Sequence, residues 1–140
     1  MDTAALAALK AAVGPQGWTE DADRIAPHLV EWRGAWRGET PLMLTPGSTE
    51  EVAAAVKVCA AHGIAITPQG GNTGLVGGQI PQGEVLLSLK RMRAIRAVSP
   101  LEDVMTVEAG LTLLEAQEAA AAAVTTPSVP SAPISSCLRS

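Results

Sequence analysis

The pattern of apolar and polar positions divides the chain into an amino-terminal helical part and a following α/β part. Apolar residues at helical spacing predict a first helix with Thr3 as its cap and Gly14 at its end. A shorter pattern of the same period predicts a second helix over residues 21–30. Residues 31–38 show no regular period, and we interpret them as a connector whose two indoles pack against the next domain.

From residue 41 onward, short apolar runs alternate with an amphipathic helix. The runs at 41–45 and 64–67 predict two strands. Between them, Ser48 and Glu51 form a capping box, in which the serine hydroxyl accepts from the glutamate amide and the carboxylate reaches back. Gly63 provides the left-handed residue that ends the helix. Strand, helix and strand joined by short links indicate a βαβ crossover.

Two further strands and one helix complete the predicted fold. The run at 84–89 is apolar on both faces and therefore predicts an internal strand, and 103–108 predicts another. Thr112 and Glu115 repeat the capping box and open a helix that extends to about Ala123. We expect an α+β fold, with a small mixed βαβ-containing sheet flanked by helices and a helical amino-terminal extension.

Composition changes sharply near the carboxyl end. Residues 124–140 are rich in Ser, Thr and Pro and show neither helical nor strand periodicity, so we expect a disordered tail. The predicted organisation is an extension over 1–36, the main α/β part over 37–123 and this tail. The tail resembles out-of-register translation or a premature end, which we state as a hypothesis.

Charge and cysteine content narrow the classes of protein. The net charge is −4, and the only basic cluster, residues 90–96, is interpreted as a solvated turn beside a strand, so no nucleic-acid partner is expected. The longest apolar run, Ala119–Val124, is too short to cross a bilayer. Cys59 and Cys137 lie far apart and predict no disulfide framework. The amino terminus lacks the basic region typical of a signal peptide, and from the cysteine usage we expect a cytoplasmic compartment.

The most informative segment is the glycine-rich run over residues 68–79, which follows directly on a predicted strand. Glycines let successive backbone amides approach an oxyanion closely, and Asn72 and Thr73 add side-chain donors. The glycine spacing does not fit the dinucleotide fingerprint, and the Gly-Lys-Ser/Thr ending of the P-loop is missing. By local mechanism alone, a phosphate-binding loop and a flexible glycine hairpin stay equally open.

The run PQGGNTGLVGG resembles the pyrophosphate loop of FAD-linked oxidases of the vanillyl-alcohol oxidase and p-cresol methylhydroxylase type. More narrowly, it is similar to the D-2-hydroxyacid dehydrogenase branch, which includes D-lactate, D-2-hydroxyglutarate and glycolate dehydrogenase-like proteins. The segments 31–37, 45–64, 86–89 and 106–110 follow in the order of this family, so the resemblance covers most of residues 1–123.

The resemblance implies FAD as cofactor and, in the complete enzyme, a small 2-hydroxy acid substrate oxidised by hydride transfer to the flavin. It implies that Glu108-Ala109-Gly110 approach the cofactor less directly. The cofactor-binding residues that it implies wrap the diphosphate or line the flavin side: Pro68, Gln69, Gly70, Gly71, Asn72, Thr73, Gly74, Leu75, Gly77 and Gly78.

The other chemically interesting residues have simpler interpretations. His28 and His62 lack companions at metal-ligand spacing and are interpreted as helix-surface or capping residues. Cys59 lies on the apolar stripe of its helix and is expected in the core. Trp32 and Trp36 are interpreted as packing anchors. No residue is assigned a catalytic or metal-binding role.

The resemblance weakens from about Val124, where the family continues with a second glycine-rich segment and a substrate domain. Two alternatives to an enzyme's cofactor domain therefore stay open: a non-catalytic fragment with weak nucleotide binding, and a short interaction protein that docks through its helices and Trp32 and Trp36. We expect the isolated chain to show no turnover and to hold FAD weakly or not at all, because half a cleft leaves much of the cofactor in water.

Overall fold

The computed structural model describes residues 2–125. Within this range, no helix combines the length and the apolar content that a membrane span requires. A turn of 3₁₀ helix over Ala26–His28 directly follows the short helix Ala22–Ile25. The helices and strands are α1 (Thr3–Val13), β1 (Trp18–Thr19), α2 (Ala22–Ile25), β2 (Met43–Leu44), α3 (Thr49–His62), β3 (Ile66–Gln69), β4 (Val85–Ser88), β5 (Ile95–Ser99), β6 (Val104–Val107) and α4 (Leu113–Thr125).

The first sheet has the strand order β1-β2-β4-β3. Strands β2, β4 and β3 run parallel, and the short β1 pairs antiparallel with β2. The βαβ crossover from β2 through α3 to β3 is therefore present, with β4 inserted between its two strands. All four residues of β4 are buried, which confirms the prediction of an internal strand. The mixed sheet flanked by helices confirms the predicted fold class.

The main core lies where α1 and α3 pack against this sheet. Leu9 and Val13 of α1 meet Ala55 and Cys59 of α3 in one buried cluster. Cys59 is a core residue as predicted, and burial raises the pKa of its thiol. Since α1 supplies part of this core and β1 joins the sheet, the first residues are integral to the α/β layer. The boundary at residue 36 stays a prediction.

The second sheet is a separate antiparallel pair, β5–β6. Strand β5 was not predicted, because residues 90–96 were interpreted as a solvated turn and Arg96 in fact lies inside the strand. The two sheets meet at Gly110, whose amide donates to the carbonyl of Met92 at 2.8 Å. A Cβ at this position would lie 2.0 Å from the carbonyl oxygen of Leu89, so only glycine fits the junction.

Two predictions about the first helices are wrong. Thr3 is the first helical residue and not the cap; Asp2 precedes it without a capping side-chain hydrogen bond. The helix predicted over residues 21–30 is only the short α2 followed by the 3₁₀ turn. The reason is Pro27, which has no amide hydrogen with which to continue an α-helix, so the chain tightens into the 3₁₀ turn at this point.

One of the two predicted capping boxes forms in full, and the other forms only in part. At α3 the Glu51 amide donates to the Ser48 hydroxyl at 3.2 Å, but the Glu51 carboxylate accepts from the amide of Gly47 instead of Ser48. At α4 the box is complete, since the amides of Thr112 and Glu115 each donate to the other residue's side chain. Helix α4 includes Val124, which was assigned to the tail, and the prediction for residues 126–140 lies outside the described residues.

Candidate cofactor cleft

The glycine-rich loop, residues 70–79, leaves the carboxyl end of β3 and contains no strand or bridge. Its backbone amides donate no hydrogen bond to any atom of residues 2–125. An ordinary two-stranded ladder, which would have used these amides internally, is therefore not what this segment forms. Free amides in a turn-rich segment are the donors from which an anion-binding nest is made.

At three glycines of the loop, neither the backbone conformation nor a neighbouring atom of the protein requires glycine. Most other glycines have a positive φ angle or would clash with neighbouring atoms if they carried a Cβ. At Gly70 and Gly71 the nearest atoms to such a Cβ lie at 3.8 and 3.7 Å, and at Gly78 none lies within 4 Å. The missing side chains therefore leave open space beside the free amides. This is the room that a closely approaching oxyanion needs.

A cleft of about 560 Å³ borders this loop. Gly70, Gly71 and Thr73 form one wall, and residues 109–113 form the other. Lys90 and Arg93 also line it. Arg93 is paired with Glu115, whereas Lys90 has no ionic partner among residues 2–125. One cation thus faces the cleft without a carboxylate to neutralise it, a favourable setting for an anionic ligand.

The Glu108-Ala109-Gly110 segment occupies the position that the resemblance implied. Ala109 and Gly110 line the cleft, while Glu108 points back into the second sheet. Its carboxylate accepts from the amide of Ala94 at 2.9 Å and from Arg96 at 3.0 Å. The amide of Ala94, followed by Arg96, lowers the pKa of Glu108. Glu108 therefore holds the wall of the cleft and does not line it.

Two loop side chains face the protein and not the cleft. The amide nitrogen of Asn72, predicted to be a donor for the diphosphate, donates to the carbonyl of Val30 at 2.9 Å. Gln69 is 1% exposed, and its amide nitrogen donates to the carbonyls of His28 and Gln79. Thr73, by contrast, lines the cleft. The backbone of Asn72 keeps its free amide, so only its side chain departs from expectation.

His28 is not the surface residue that we predicted. Its ring is buried, and Nδ1 lies 2.5 Å from the Gln69 side-chain oxygen. His62 is exposed in the last turn of α3, as predicted. No local pattern revealed the role of His28, because its partner lies 41 positions away.

The connector over 31–38 gives one tryptophan the predicted packing role. The indole of Trp36 covers Gly77 so closely that a Cβ there would lie 2.6 Å from the ring. Trp32 is 70% exposed, so its predicted role as a packing anchor is wrong.

The turn between Trp32 and Trp36 is held by Glu31, a buried carboxylate that sequence reasoning missed. It accepts from the amides of Arg33 and Ala35, and the Arg33 amide is the main cause of its lowered pKa.

The edge of the sheet that carries the loop also holds an unsatisfied polar group. Ser88, at the carboxyl end of β4, is 1% exposed and pairs in register with Gln69. Its hydroxyl is the buried side-chain polar atom without a hydrogen-bond partner in the described part of the chain. Orphan groups of this kind are rare in native proteins and concentrate where a ligand or water belongs. Residues 2–125 hold no cluster of His, Cys, Asp or Glu that could bind a metal.

A parallel α/β layer with a loop of free amides beside an open, cation-lined cleft defines a nucleotide-cofactor-binding domain. The model of the FAD binding domain family matches residues 40–139. The chain belongs to this family, its cofactor is FAD, and the domain is the FAD-binding part of FAD-dependent oxidoreductases. The match extends past Val124, the residue from which we expected the resemblance to weaken.

The curated relatives that match this chain are named as dehydrogenases of D-2-hydroxy acids. A probable D-2-hydroxyglutarate dehydrogenase of Oryza sativa is 39% identical over 105 residues, covering 74% of this chain and 19% of the relative. The D-2-hydroxyglutarate dehydrogenase of Arabidopsis thaliana is 33% identical over 114 residues, covering 81% of this chain and 20% of the relative. A putative D-lactate dehydrogenase of Schizosaccharomyces pombe is 38% identical over 96 residues, covering 68% and 18%. The chain therefore spans about a fifth of the length of these relatives.

Solved structures agree on the fold. p-Cresol methylhydroxylase with substrate bound has a TM-score of 0.72 at 25% identity, covering 86% of this chain and 24% of its own. Alkyldihydroxyacetonephosphate synthase reaches a TM-score of 0.77 at 21% identity, covering 88% and 25%, and shows the fold alone. The family resemblance found in the sequence is confirmed.

The expectation of a cytoplasmic compartment is wrong. The relatives from rice, Arabidopsis and Schizosaccharomyces pombe are all named mitochondrial, which points away from the cytoplasm. The expectation rested on the usage of two cysteines, and the lack of a disulfide framework does not by itself identify a compartment.

Proposed function

We propose that this chain is the FAD-binding portion of an enzyme that oxidises a D-2-hydroxy acid by hydride transfer to the flavin. Its support is the family membership together with relatives named D-2-hydroxyglutarate and D-lactate dehydrogenases. When bound, FAD would supply the redox chemistry: it would accept the hydride from the carbon that bears the hydroxyl, and the hydroxyl proton would pass to a base, giving a 2-oxo acid. The chain's own contribution is to bind and orient the cofactor.

The observation that carries this proposal is the set of free backbone amides over residues 70–79 beside an open cleft. A diphosphate bears negative charge on several oxygens and is matched by many convergent neutral donors. Lys90, unpaired in the described part of the chain, adds one positive charge. We assign cofactor contact to the residues that the resemblance implied: Pro68, Gln69, Gly70, Gly71, Asn72, Thr73, Gly74, Leu75, Gly77 and Gly78. Within this set, Gln69 and Asn72 contribute through their backbone.

FAD binding can be separated from folding with two glycine variants at opposite edges of the sheet. Gly70→Ala places a methyl group in open space beside the cleft, so it should weaken FAD binding about tenfold or more while leaving the thermal midpoint unchanged. Gly83→Ala, at a φ of +105°, should lower stability by roughly 1–2 kcal/mol and leave FAD affinity unchanged.

The measurement is a titration of FAD by flavin fluorescence, with ADP and adenosine as competitors. We expect weak, saturable binding that a desalting column removes, since the cleft is open. ADP should compete and adenosine should not, because the loop recognises the diphosphate. Absence of saturable binding up to about 1 mM FAD would contradict the proposal that this chain by itself holds the cofactor.

The substrate class can be tested by transplanting the domain. Residues 40–123 would replace the matching segment of the Arabidopsis D-2-hydroxyglutarate dehydrogenase, and in parallel that of p-cresol methylhydroxylase. We expect the first chimera to retain FAD and oxidise D-2-hydroxyglutarate, and the second to lose its activity. Equal function in both hosts would show that the segment is a generic FAD domain without a preference for 2-hydroxy acid enzymes.

A further inference from the structure

Three side-chain amides and one imidazole connect the glycine-rich loop to the segment that follows α2. We call this set, His28, Gln69, Asn72 and Gln79, the amide network. Gln69 donates to the carbonyl of His28 and to the carbonyl of Gln79, at 2.9 Å in each case. Since both N–H groups of Gln69 are used in this way, its oxygen must be the acceptor for Nδ1 of His28 at 2.5 Å. The imidazole therefore carries its proton on Nδ1.

The remaining two amides close the network across the loop. Gln79 donates to the carbonyl of Gly74 at 2.8 Å and to the side-chain oxygen of Asn72 at 3.3 Å. Asn72 in turn donates to the carbonyl of Val30 at 2.9 Å and to that of Pro27 at 3.4 Å. Every N–H of the three amides thus has an acceptor. A polar network whose amide donors all have acceptors rigidifies the groups that it joins.

The network also accounts for two backbone features of the loop. Asn72 adopts a φ of +56°, a left-handed conformation that asparagine tolerates better than most residues. A Cβ at Gly74 would lie 2.5 Å from the Gln79 side-chain oxygen, so glycine at 74 lets Gln79 cross the loop. Gly74 thereby differs from Gly70, Gly71 and Gly78, which face open space.

The direction of the hydrogen bonds matters for an anionic ligand. The network engages loop carbonyls, those of Gly74 and Gln79, and leaves the loop amides free. A diphosphate is repelled by carbonyl oxygens and attracted by amide hydrogens. Tying carbonyls to side chains on the protein side therefore holds the loop in the orientation that presents donors to the cleft.

We propose that the side chains of the amide network are a positioning device, which sets the glycine-rich loop for diphosphate binding while these side chains themselves do not touch the cofactor, and that His28 anchors the network from the amino-terminal segment. This inference rests on the proposed FAD-binding function. It gives residues 27–30 a role in cofactor affinity, although none of them lines the cleft.

The test uses Gln79→Met, which keeps the length of the side chain and removes its donors without adding charge. Its matched control is Gln117→Met, on an exposed part of α4. We expect Q79M to weaken FAD binding about tenfold and Q117M to change it less than about twofold. In the FAD-free chain, ¹⁵N relaxation should show loop order parameters falling below about 0.6 in Q79M, while those of β4 stay near about 0.85.

A second pair tests His28 through rescue. His28→Leu removes the donor to Gln69 and should weaken FAD binding about tenfold, whereas His28→Asn keeps a donor near the Nδ1 position and should recover most of the affinity. Thermal midpoints of all variants establish that they fold.

Each possible negative result of these experiments has its own interpretation. Weaker FAD binding by Q79M with an unchanged, ordered loop would mean that Gln79 contacts the cofactor directly, which overturns a positioning role. Unchanged affinity in both Q79M and H28L would overturn it as well, with the proposed function intact. A wild-type chain that does not bind FAD at all would instead remove the proposed function on which the inference rests.

Discussion

The two sheets of this domain contain similar apolar residues, but the first sheet buries them and the second leaves them largely exposed. In the first sheet, Leu86 of β4 has no exposed surface and the helices α1 and α3 cover the strands. In the second, Leu101 of the β5–β6 turn is 99% exposed and Val104 of β6 is 55% exposed. The first sheet therefore has a core of its own, and the second does not. The second sheet is joined to the first part of the domain by the junction at Gly110 and by the hydrogen bond from Arg96 of β5 to Thr49 of α3.

The cofactor cleft lies on the boundary between these two regions. The free amides come from the loop after β3, and the opposite wall, residues 109–113, comes from the segment after β6. The loop that follows the well-packed first sheet thus provides the amide donors, and the segment that follows the weakly packed second sheet forms the opposite wall of the cleft. Ligand-binding segments are commonly drawn from the less stable parts of a protein. The following predictions test this difference, from the largest effect to the smallest.

Truncating one leucine in each region should give the largest contrast. Leu86→Ala removes a fully buried side chain and should lower the free energy of unfolding by about 2–5 kcal/mol. Leu101→Ala removes an exposed one and should change it by less than about 0.5 kcal/mol. Urea unfolding followed by circular dichroism measures both. Similar losses of unfolding free energy for the two variants would show that the second sheet also has a buried core.

A methyl group at the junction should have a smaller but definite effect. Gly110→Ala forces a Cβ to within 2.0 Å of the Leu89 carbonyl, and overpacking of this kind costs about 1–3 kcal/mol. Gly78→Ala, where nothing lies within 4 Å, is the matched control and should change stability by less than about 1 kcal/mol. Thermal unfolding compares the two. If G110A were as stable as G78A, the two sheets would not depend on a close junction.

The smallest expected effect is a pH dependence at the start of α4. The Thr112 hydroxyl, the Thr112 amide and Arg93 lower the pKa of Glu115 from 4.5 to about 2. Because the folded pKa lies below the unfolded one, this contribution is present above about pH 4.5 and is lost as pH falls toward 2. Amide chemical shifts of residues 113–118 should therefore report fraying of the helix start over this range.

Two substitutions give that titration its control. Glu115→Gln should fray the start of α4 already at pH 6, so that its difference from the wild type disappears near pH 2. Glu118→Gln, an exposed position on the same helix, should titrate like the wild type. A wild-type helix start that is insensitive between pH 4.5 and 2 would contradict the role given to Glu115.

Features that depend on neighbours in sequence were predicted well. The capping pairs at Ser48 and Thr112, the left-handed Gly63 and the internal strand β4 all follow from local patterns, and the structure contains each of them. Strand β5 was missed because its basic residues resemble a solvated turn, and only pairing with β6 makes it a strand. The helix over residues 21–30 was overextended because Pro27 was given too little weight.

By itself, the sequence determined the fold class, the family and the glycine-rich loop, since each depends on residues that are contiguous or regularly spaced. Only the tertiary structure decided which side chains hold that loop. His28 meets Gln69 across 41 positions, and Asn72 meets Val30 across 42, so no local period could have paired them. The chain folds back to bring a buried imidazole beneath the loop, and that contact depends on the packing of the whole first sheet.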